Sequence, residues 1–284
     1  MKKVKIKAPA KVNLTLDVLG VTGGYHDIKS LVASIDVYDE ITLRARKDST
    51  ITLECTGLNV GCETFDNNAY KAAKSFIKKF STHGVDIKIK KNIPIGAGLG
   101  GSSADIAGVL NGMKSLYQVK GSLLSIANDL GSDSGYMLSG GFAVITGRGE
   151  KVHPKDIKNT LYLLFITEDK SITARASYKA FDKLEKIFKP CTSAAEKALK
   201  DGDREKFYSV AKNDLYYGSK ELLPEMQGNI FVLKKAGAPT ALMTGSGSAV
   251  YGVFFDKARR DGVYKKLLPI YGSRLIKAQT IEPR

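Results

Sequence analysis

Pro94-Ile-Gly-Ala-Gly-Leu-Gly-Gly-Ser-Ser-Ala104 separates two stretches of different period. Upstream, Val85-Asp-Ile-Lys-Ile-Lys90 puts Val85, Ile87 and Ile89 on one face, the alternation of a half-buried strand. Downstream, Ile106, Leu110, Met113 and Tyr117 recur at helical spacing. The glycines therefore open a helix. A helix start carries unpaired N–H groups and a partial positive charge, which together favour an anion. Glycine lets the backbone approach a ligand closely and adopt positive φ. Ser102 and Ser103 add hydroxyls suited to a phosphate, a metal or a helix cap. The pattern is not a P-loop, because no Gly-Lys-Ser/Thr ends it, and Gly96, Gly98, Gly100 and Gly101 do not fit Gly-x-Gly-x-x-Gly. On these residues alone two readings stand: a phosphate cradle, or an ordinary glycine-rich turn capped by serine.

The rest of the chain frames that loop. Its 284 residues suffice for one large or two modest domains, and 43% hydrophobic with 26% charged residues is ordinary for a folded soluble chain. A formal net charge of +15 suits an anionic partner. The lysines are scattered singly or in short pairs, without the basic stripe and interleaved aromatics of a nucleic-acid binder. No apolar run reaches bilayer-spanning length and the N-terminus is too alternating for a signal peptide, so a cytoplasmic protein without a membrane partner is expected. Cys55, Cys62 and Cys191 are odd in number and form no Cys-x-x-Cys pair; they read as reduced thiols.

In chain order the first part is strand-rich. Val4–Lys7 and Asn13–Leu19 alternate, with Ala8-Pro-Ala-Lys11 expected to interrupt them. Leu31–Arg46 reads as one or two strands and Ile51–Cys55 as another. Asp66 or Asn67 can cap a helix through Phe80, and Ser122 a short helix ending at Gly131. Ser132-Asp-Ser-Gly135 reads as a loop before an apolar strand, Phe142–Thr146. Lys151–Asn159 is polar and aperiodic, so the domain boundary is placed there, giving domains 1–155 and 156–284. A strand at Leu161–Thr167, several helices between Ser177 and Leu233, and a strand–turn–strand at Ala241–Phe255 follow. Mixed runs of strands and helices predict an α+β fold, and no dinucleotide fingerprint supports a Rossmann fold.

Three stretches taken together resemble the GHMP kinases: Pro9-Ala-Lys-Val-Asn-Leu14 continuing to Gly24-Tyr-His26, the loop Pro94–Ala104 with Asp105, and Thr244-Gly-Ser-Gly-Ser-Ala249. Within that superfamily, the first stretch, Gly131-Ser-Asp133 and Gly147-Arg-Gly-Glu150 are similar to the members that phosphorylate a cytidine-diphosphate-linked methylerythritol of the non-mevalonate isoprenoid route. The resemblance implies a two-domain α+β fold with the active site in the cleft between the halves. It implies ATP on Pro94, Ile95, Gly96, Ala97, Gly98, Leu99, Gly100, Gly101, Ser102, Ser103 and Ala104, with Mg²⁺ touching Ser103. Thr244–Ser248 would close over the site.

By the same resemblance Asp133 is the general base and Lys11 its cationic partner, holding the carboxylate ionised or offsetting γ-phosphate charge. His26 would read the cytosine edge, Tyr25 and Tyr178 would stack on its faces, and Asn13 would lie near the erythritol or its phosphates. Without the motifs Asp133 is a plain turn residue and Lys11 a surface lysine. The chain departs from the family pattern at Ser134-Gly135, where Val-Pro is usual, at Val21-Thr-Gly23, and at Ser102, where a third glycine is common. Those departures leave room for a kinase acting on another alcohol, of homoserine or mevalonate type. A basic nucleic-acid-binding protein is the alternative from another class.

Overall fold

Residues 2–58, 65–185 and 188–283 are described by the structure, a computed structural model. The elements in chain order are β1 (Lys3–Asn13), β2 (Asp17–Thr22), β3 (Tyr25–Ala45), β4 (Ile51–Gly57), α1 (Asn68–Phe80), β5 (Val85–Lys91), α2 (Gly101–Tyr117), α3 (Leu124–Leu130), α4 (Ser134–Met137), β6 (Phe142–Gly147), β7 (Lys151–Pro154) and β8 (Tyr162–Ile166). They continue with α5 (Ala174–Phe181), α6 (Thr192–Asp201), α7 (Arg204–Val210), α8 (Tyr216–Leu222), α9 (Glu225–Ala236), β9 (Thr240–Met243), β10 (Val250–Phe254), α10 (Lys257–Tyr271) and β11 (Leu275–Gln279). The fold is α+β, as the mixed pattern predicts. Among the described residues no helix is long and apolar enough to cross a membrane.

The chain packs as two compact units of discontinuous sequence: residues 1–10, 37–95 and 100–140 form one, and residues 11–36, 96–99 and 141–284 the other. Strands β1 and β3 each begin in one unit and end in the other.

In the first unit the second half of β3 pairs antiparallel with β5, Leu43 opposite Ile87, and β5 pairs parallel with β4. Val85, Ile87 and Ile89 are buried, as their alternation predicts. Asn67 caps α1 by accepting from the Ala69 N–H at 2.8 Å, and the helix buries Ala69, Ala72, Ala73 and Phe76. Helix α2 lies on β3 because Gly108 and Gly112 carry no side chain. A Cβ there would come within 2.6 Å of Ile41 Cδ1 and 2.5 Å of Leu43 Cδ1 respectively.

In the second unit the first half of β3 pairs with β2 through a Gly23-Gly24 hairpin and with β6, which pairs with β7. A separate four-stranded antiparallel sheet runs β11-β8-β10-β9. Its Leu163, Phe165, Tyr251 and Phe254 are all buried, the first three on one face of the sheet and Phe254 on the other, and α9 and α10 pack against the sheet.

Several local expectations change. Ala8-Pro9-Ala10-Lys11 does not interrupt β1, since the fixed φ of proline is compatible with extended backbone. Part of Lys151–Asn159 is strand β7, an edge whose polar residues alternate toward solvent. Ser132–Gly135 leads into the single turn of α4. Neither serine caps α2: Gly100, at φ 72, is its N-cap, without a side-chain bond. The expectation of three reduced thiols is also corrected. Cys55 is disulfide-bonded and Cys191 is a free, buried thiol, whereas Cys62 lies outside the described residues.

Candidate active site

In the second unit the three motifs are joined by hydrogen bonds. Strand β1 ends in a buried Lys11 and Asn13. The Lys11 N–H donates to the Leu99 carbonyl at 3.0 Å, and its Nζ donates to Asn13 Oδ1 at 2.5 Å. The Asn13 N–H donates to Thr244 Oγ1 at 3.1 Å, and Thr244 Oγ1 donates to the Gly98 carbonyl at 3.3 Å. Asn13 is fixed further: its Nδ2 donates to Ser30 Oγ at 2.9 Å, and the Tyr251 hydroxyl donates to its carbonyl at 2.7 Å. A buried ammonium thus lies beside the glycine loop, bonded to a side-chain amide whose own orientation is fixed on the other end.

The loop can come this close only as glycine. Gly98 has φ 74, and a Cβ there would sit 2.2 Å from the Thr244 carbonyl oxygen. From the other side, Asn213 Nδ2 donates to the carbonyls of Met243 and Gly245 at 2.9 and 2.8 Å, pinning the Thr244–Ser248 turn. Ala97 and Leu99 are buried, anchoring a loop whose Ile95 is exposed.

The remainder of the loop begins α2 in the first unit. The open N-terminal turn there presents N–H groups without a capping side chain, which suits an anion. Ser102 Oγ accepts from Asn68 Nδ2 at 2.8 Å. Ser103 lies next to the Asp133 segment: a Cβ on Gly131 would come within 3.2 Å of Ser103 Oγ and 2.7 Å of Ser134 Oγ. Asp133 is half-buried at the start of α4, and its carbonyl accepts from the Met137 N–H at 3.0 Å. The Ser134-Gly135 departure is built into packing. Ser134 is fully buried, and a Cβ on Gly135 would meet Asn128 Oδ1 at 2.3 Å.

Beneath that helix start lies an ionic cluster in the same unit. Lys91 Nζ donates to Asp105 Oδ2 at 2.5 Å and also to Asp39 Oδ2. Asp39 Oδ1 accepts from the N–H groups of Asn92 and Ile93 at 2.6 and 2.9 Å, so it fixes the entry to the loop. Burial pushes the Asp105 carboxyl up to about 7; Lys91 opposes the rise and Asp39 adds to it. Burial opposes charge on Lys91, but the two carboxylates outweigh it and raise its affinity for the proton. A Cβ on Gly101 would lie 3.8 Å from the Lys91 Nζ, so the ammonium sits directly under the first turn of α2.

Of the remaining sequence-derived residues, Tyr25, His26 and Tyr178 all belong to the second unit. Tyr178 stacks on His26 itself, with ring centroids 4.5 Å apart and planes 19° apart. His26 Nε2 bonds Asp182 Oδ1 at 2.7 Å. Tyr25 is 58% exposed, with the Arg148 guanidinium 4.6 Å over its ring.

Sequence reading missed Asp182, Asp39 and Lys91 as members of these clusters. Lys91, three residues before Pro94, carried the one available signal: a cation at the exit of the strand feeding the loop. Asp39 and Asp182 are single carboxylates far from any motif.

Comparison with known proteins shows the family. Residues 67–147 match the family model of the GHMP kinases N terminal domain. The 4-diphosphocytidyl-2-C-methyl-D-erythritol kinase of Clostridium tetani (strain Massachusetts / E88) is 34% identical over 273 residues, covering 94% of this chain and 97% of the relative. That of Desulfitobacterium hafniense (strain Y51) is 35% identical over 260 residues, covering 88% and 87%. A crystal structure of 4-(cytidine 5'-diphospho)-2C-methyl-D-erythritol kinase superposes with a TM-score of 0.83 at 27% identity, covering 97% of this chain and 98% of that one. The L. major mevalonate kinase in complex with R-mevalonate shares the fold, with a TM-score of 0.78 at 16% identity over 99% of this chain and 97% of that one. The chain belongs to the 4-diphosphocytidyl-2-C-methyl-D-erythritol kinase family of the GHMP kinases.

Proposed function

We propose that this chain transfers the γ-phosphoryl group of ATP to the 2-hydroxyl of 4-diphosphocytidyl-2-C-methyl-D-erythritol. The observation that carries the reading is the hydrogen-bonded set Lys11–Asn13–Thr244–Gly98, which joins all three family motifs beside a glycine loop. Phosphoryl transfer asks mainly for positioning and charge stabilisation, and a buried cation next to a cradle of backbone N–H groups supplies both.

Pro94–Ala104 would hold the triphosphate, its glycines admitting the phosphate oxygens to the backbone. Asp133 would accept the proton of the acceptor hydroxyl as that oxygen bonds to the γ-phosphorus and the bond to the departing ADP oxygen breaks. Lys11 would offset charge on the transferring group; Asn13, near the acceptor, would keep the ammonium aimed. Tyr25, His26 and Tyr178 would hold the cytidine end. Among the described residues no group of three or more His, Cys, Asp or Glu is placed to hold a metal alone. That donor set suits a Mg²⁺ carried largely by nucleotide phosphates, with the Ser103 hydroxyl as its protein contact. The ion, when bound, neutralises phosphate charge. We retain 1–155 and 156–284 as the family's N- and C-terminal halves, and we place the enzyme in the cytoplasm.

The test is ADP release from purified protein, ATP and Mg²⁺ offered a panel of acceptors. Turnover restricted to the cytidine-diphosphate acceptor supports the proposal. Turnover with homoserine or mevalonate instead transfers it to another acceptor, and no turnover with any alcohol overturns it.

A further inference from the structure

His26 is held by two contacts of different kinds. In the ring plane, Nε2 lies 2.7 Å from Asp182 Oδ1. On one face, the Tyr178 ring stacks at 4.5 Å. Together they leave the imidazole little freedom to flip or turn. A carboxylate oxygen only accepts, so Nε2 must carry the hydrogen. In the neutral ring the other nitrogen, Nδ1, is then an acceptor. Nδ1 has no hydrogen-bond partner among the described residues, where the Asp182 contact is the only hydrogen bond of the His26 side chain. The His26 side chain is 16% exposed, so this acceptor belongs to a mostly covered surface.

A fixed acceptor discriminates between pyrimidines. Cytosine presents an amino donor at position 4, whereas uracil presents a carbonyl there. An Nδ1 lone pair can receive the first and opposes the second. We propose that Asp182 is a specificity-determining positioning residue: by fixing the His26 tautomer with Tyr178 as backing, it makes the site select a cytosine over a uracil nucleotide. The inference rests on the proposed cytidine-diphosphate acceptor and deepens it. Asp182 closes the C-terminal end of α5, and its side chain is 53% exposed. Its replacement therefore removes the bond to His26 without opening a core.

Two measurements test it. Long-range ¹⁵N–¹H correlation spectra of the histidines (there are three) read tautomers directly; His26 is expected in the Nε2–H form in the wild type. Finding the Nδ1–H form overturns the proposal whatever the activity. Kinetics with the cytidine-diphosphate acceptor and its uridine-diphosphate analogue read the consequence. Asp182→Asn can donate its amide to Nε2 and release the opposite tautomer. It is expected to reduce the cytidine-over-uridine ratio of kcat/KM on the order of tenfold, through KM of the acceptor and with KM for ATP unmoved. Asp182→Glu, which keeps an acceptor, is expected to restore part of the ratio. An Asp182→Asn enzyme that keeps the wild-type ratio, or loses activity on both nucleotides equally, overturns the proposal while leaving the kinase reading intact. A wild-type enzyme inactive on the cytidine acceptor overturns that kinase reading, and cytosine selection with it.

Discussion

Gly98 and Thr244, 146 residues apart, meet at the Gly98 backbone, which both the hydroxyl and the carbonyl of Thr244 approach. Thr244 Oγ1 donates to the Gly98 carbonyl at 3.3 Å, and a Cβ on Gly98 would lie 2.2 Å from the Thr244 carbonyl oxygen. Gly98→Ala would therefore place a methyl against backbone, which no rotamer relieves, at a φ of 74 that itself costs about 1–2 kcal/mol. The loop must leave Thr244 to accept the methyl. KM for ATP is expected to rise tenfold or more on that order, with a lower melting temperature. An unchanged KM for ATP would separate this loop from the nucleotide.

Gly112→Ala makes the contrasting case. The new methyl would come within 2.5 Å of Leu43 Cδ1, the far end of a flexible side chain, in the middle of α2. Overpacking of about 1–3 kcal/mol is offset in part by the roughly 1 kcal/mol that alanine gains over glycine in a helix. A melting temperature within a few degrees of wild type and an unaltered KM for ATP are expected from calorimetry and steady-state kinetics. Loss of nucleotide affinity here would show that the small residues of α2 set the loop geometry as well.

Asp133→Asn keeps shape and removes the base. Turnover is expected to fall by on the order of 10²–10⁴, the contribution typical of general-base catalysis. ATP affinity, measured by calorimetric titration, should stay within about twofold, because the triphosphate is assigned to the loop. A variant that retains its turnover would end the assignment of Asp133 as base.

The periodic parts of the fold were legible: the strand Val85–Lys90, the helix after the loop and the Asn67 cap each follow from local residues. What was not legible depends on long-range pairing. Pro9 reads as a break, yet β1 runs through it because the strand is held from β3. Lys151–Pro154 lacks a strand pattern and is a strand because β6 offers an edge. The motif residues Lys11, Asn13, Gly98 and Thr244 were found by resemblance. Their connection by hydrogen bonds is a fact of tertiary structure, as are the partners Ser30 and Asp182. A single carboxylate such as Asp182 carries no local signal, since its role exists only once α5 stands beside His26.

Lys91 is the sole cation bridging Asp39 and Asp105 among the described residues. Lys91→Met would leave two buried carboxylates facing each other without a counter-ion. Breaking a buried pair from one side typically costs about 3–5 kcal/mol. Chemical denaturation should show a loss of that order at neutral pH. Because Asp39 also holds the Asn92 and Ile93 N–H groups, the loop entry should loosen as well. Faster amide exchange at Asn92 and Ile93 would report it. A variant as stable as the wild type would mean that the two carboxyls share a proton in place of the ammonium.

Asp105 gives that cluster a pH dependence of definite sign. Burial, reinforced by Asp39, pushes its carboxyl from 3.8 up to about 7, against the pull of Lys91. Between those two values the folded protein binds more protons at this group than the unfolded chain does. Stability attributable to Asp105 therefore falls as pH rises through that window, and the penalty is complete above about 7. Asp105→Asn removes the titration while keeping a side chain of the same size, and Lys91 retains Asp39. Urea melts at pH 5 and pH 8 should show the variant gaining on the wild type at the higher pH. An advantage that is equal at both pH values, or larger at pH 5, would mean that Asp105 stays ionised in the fold throughout, with Lys91 fully compensating its burial.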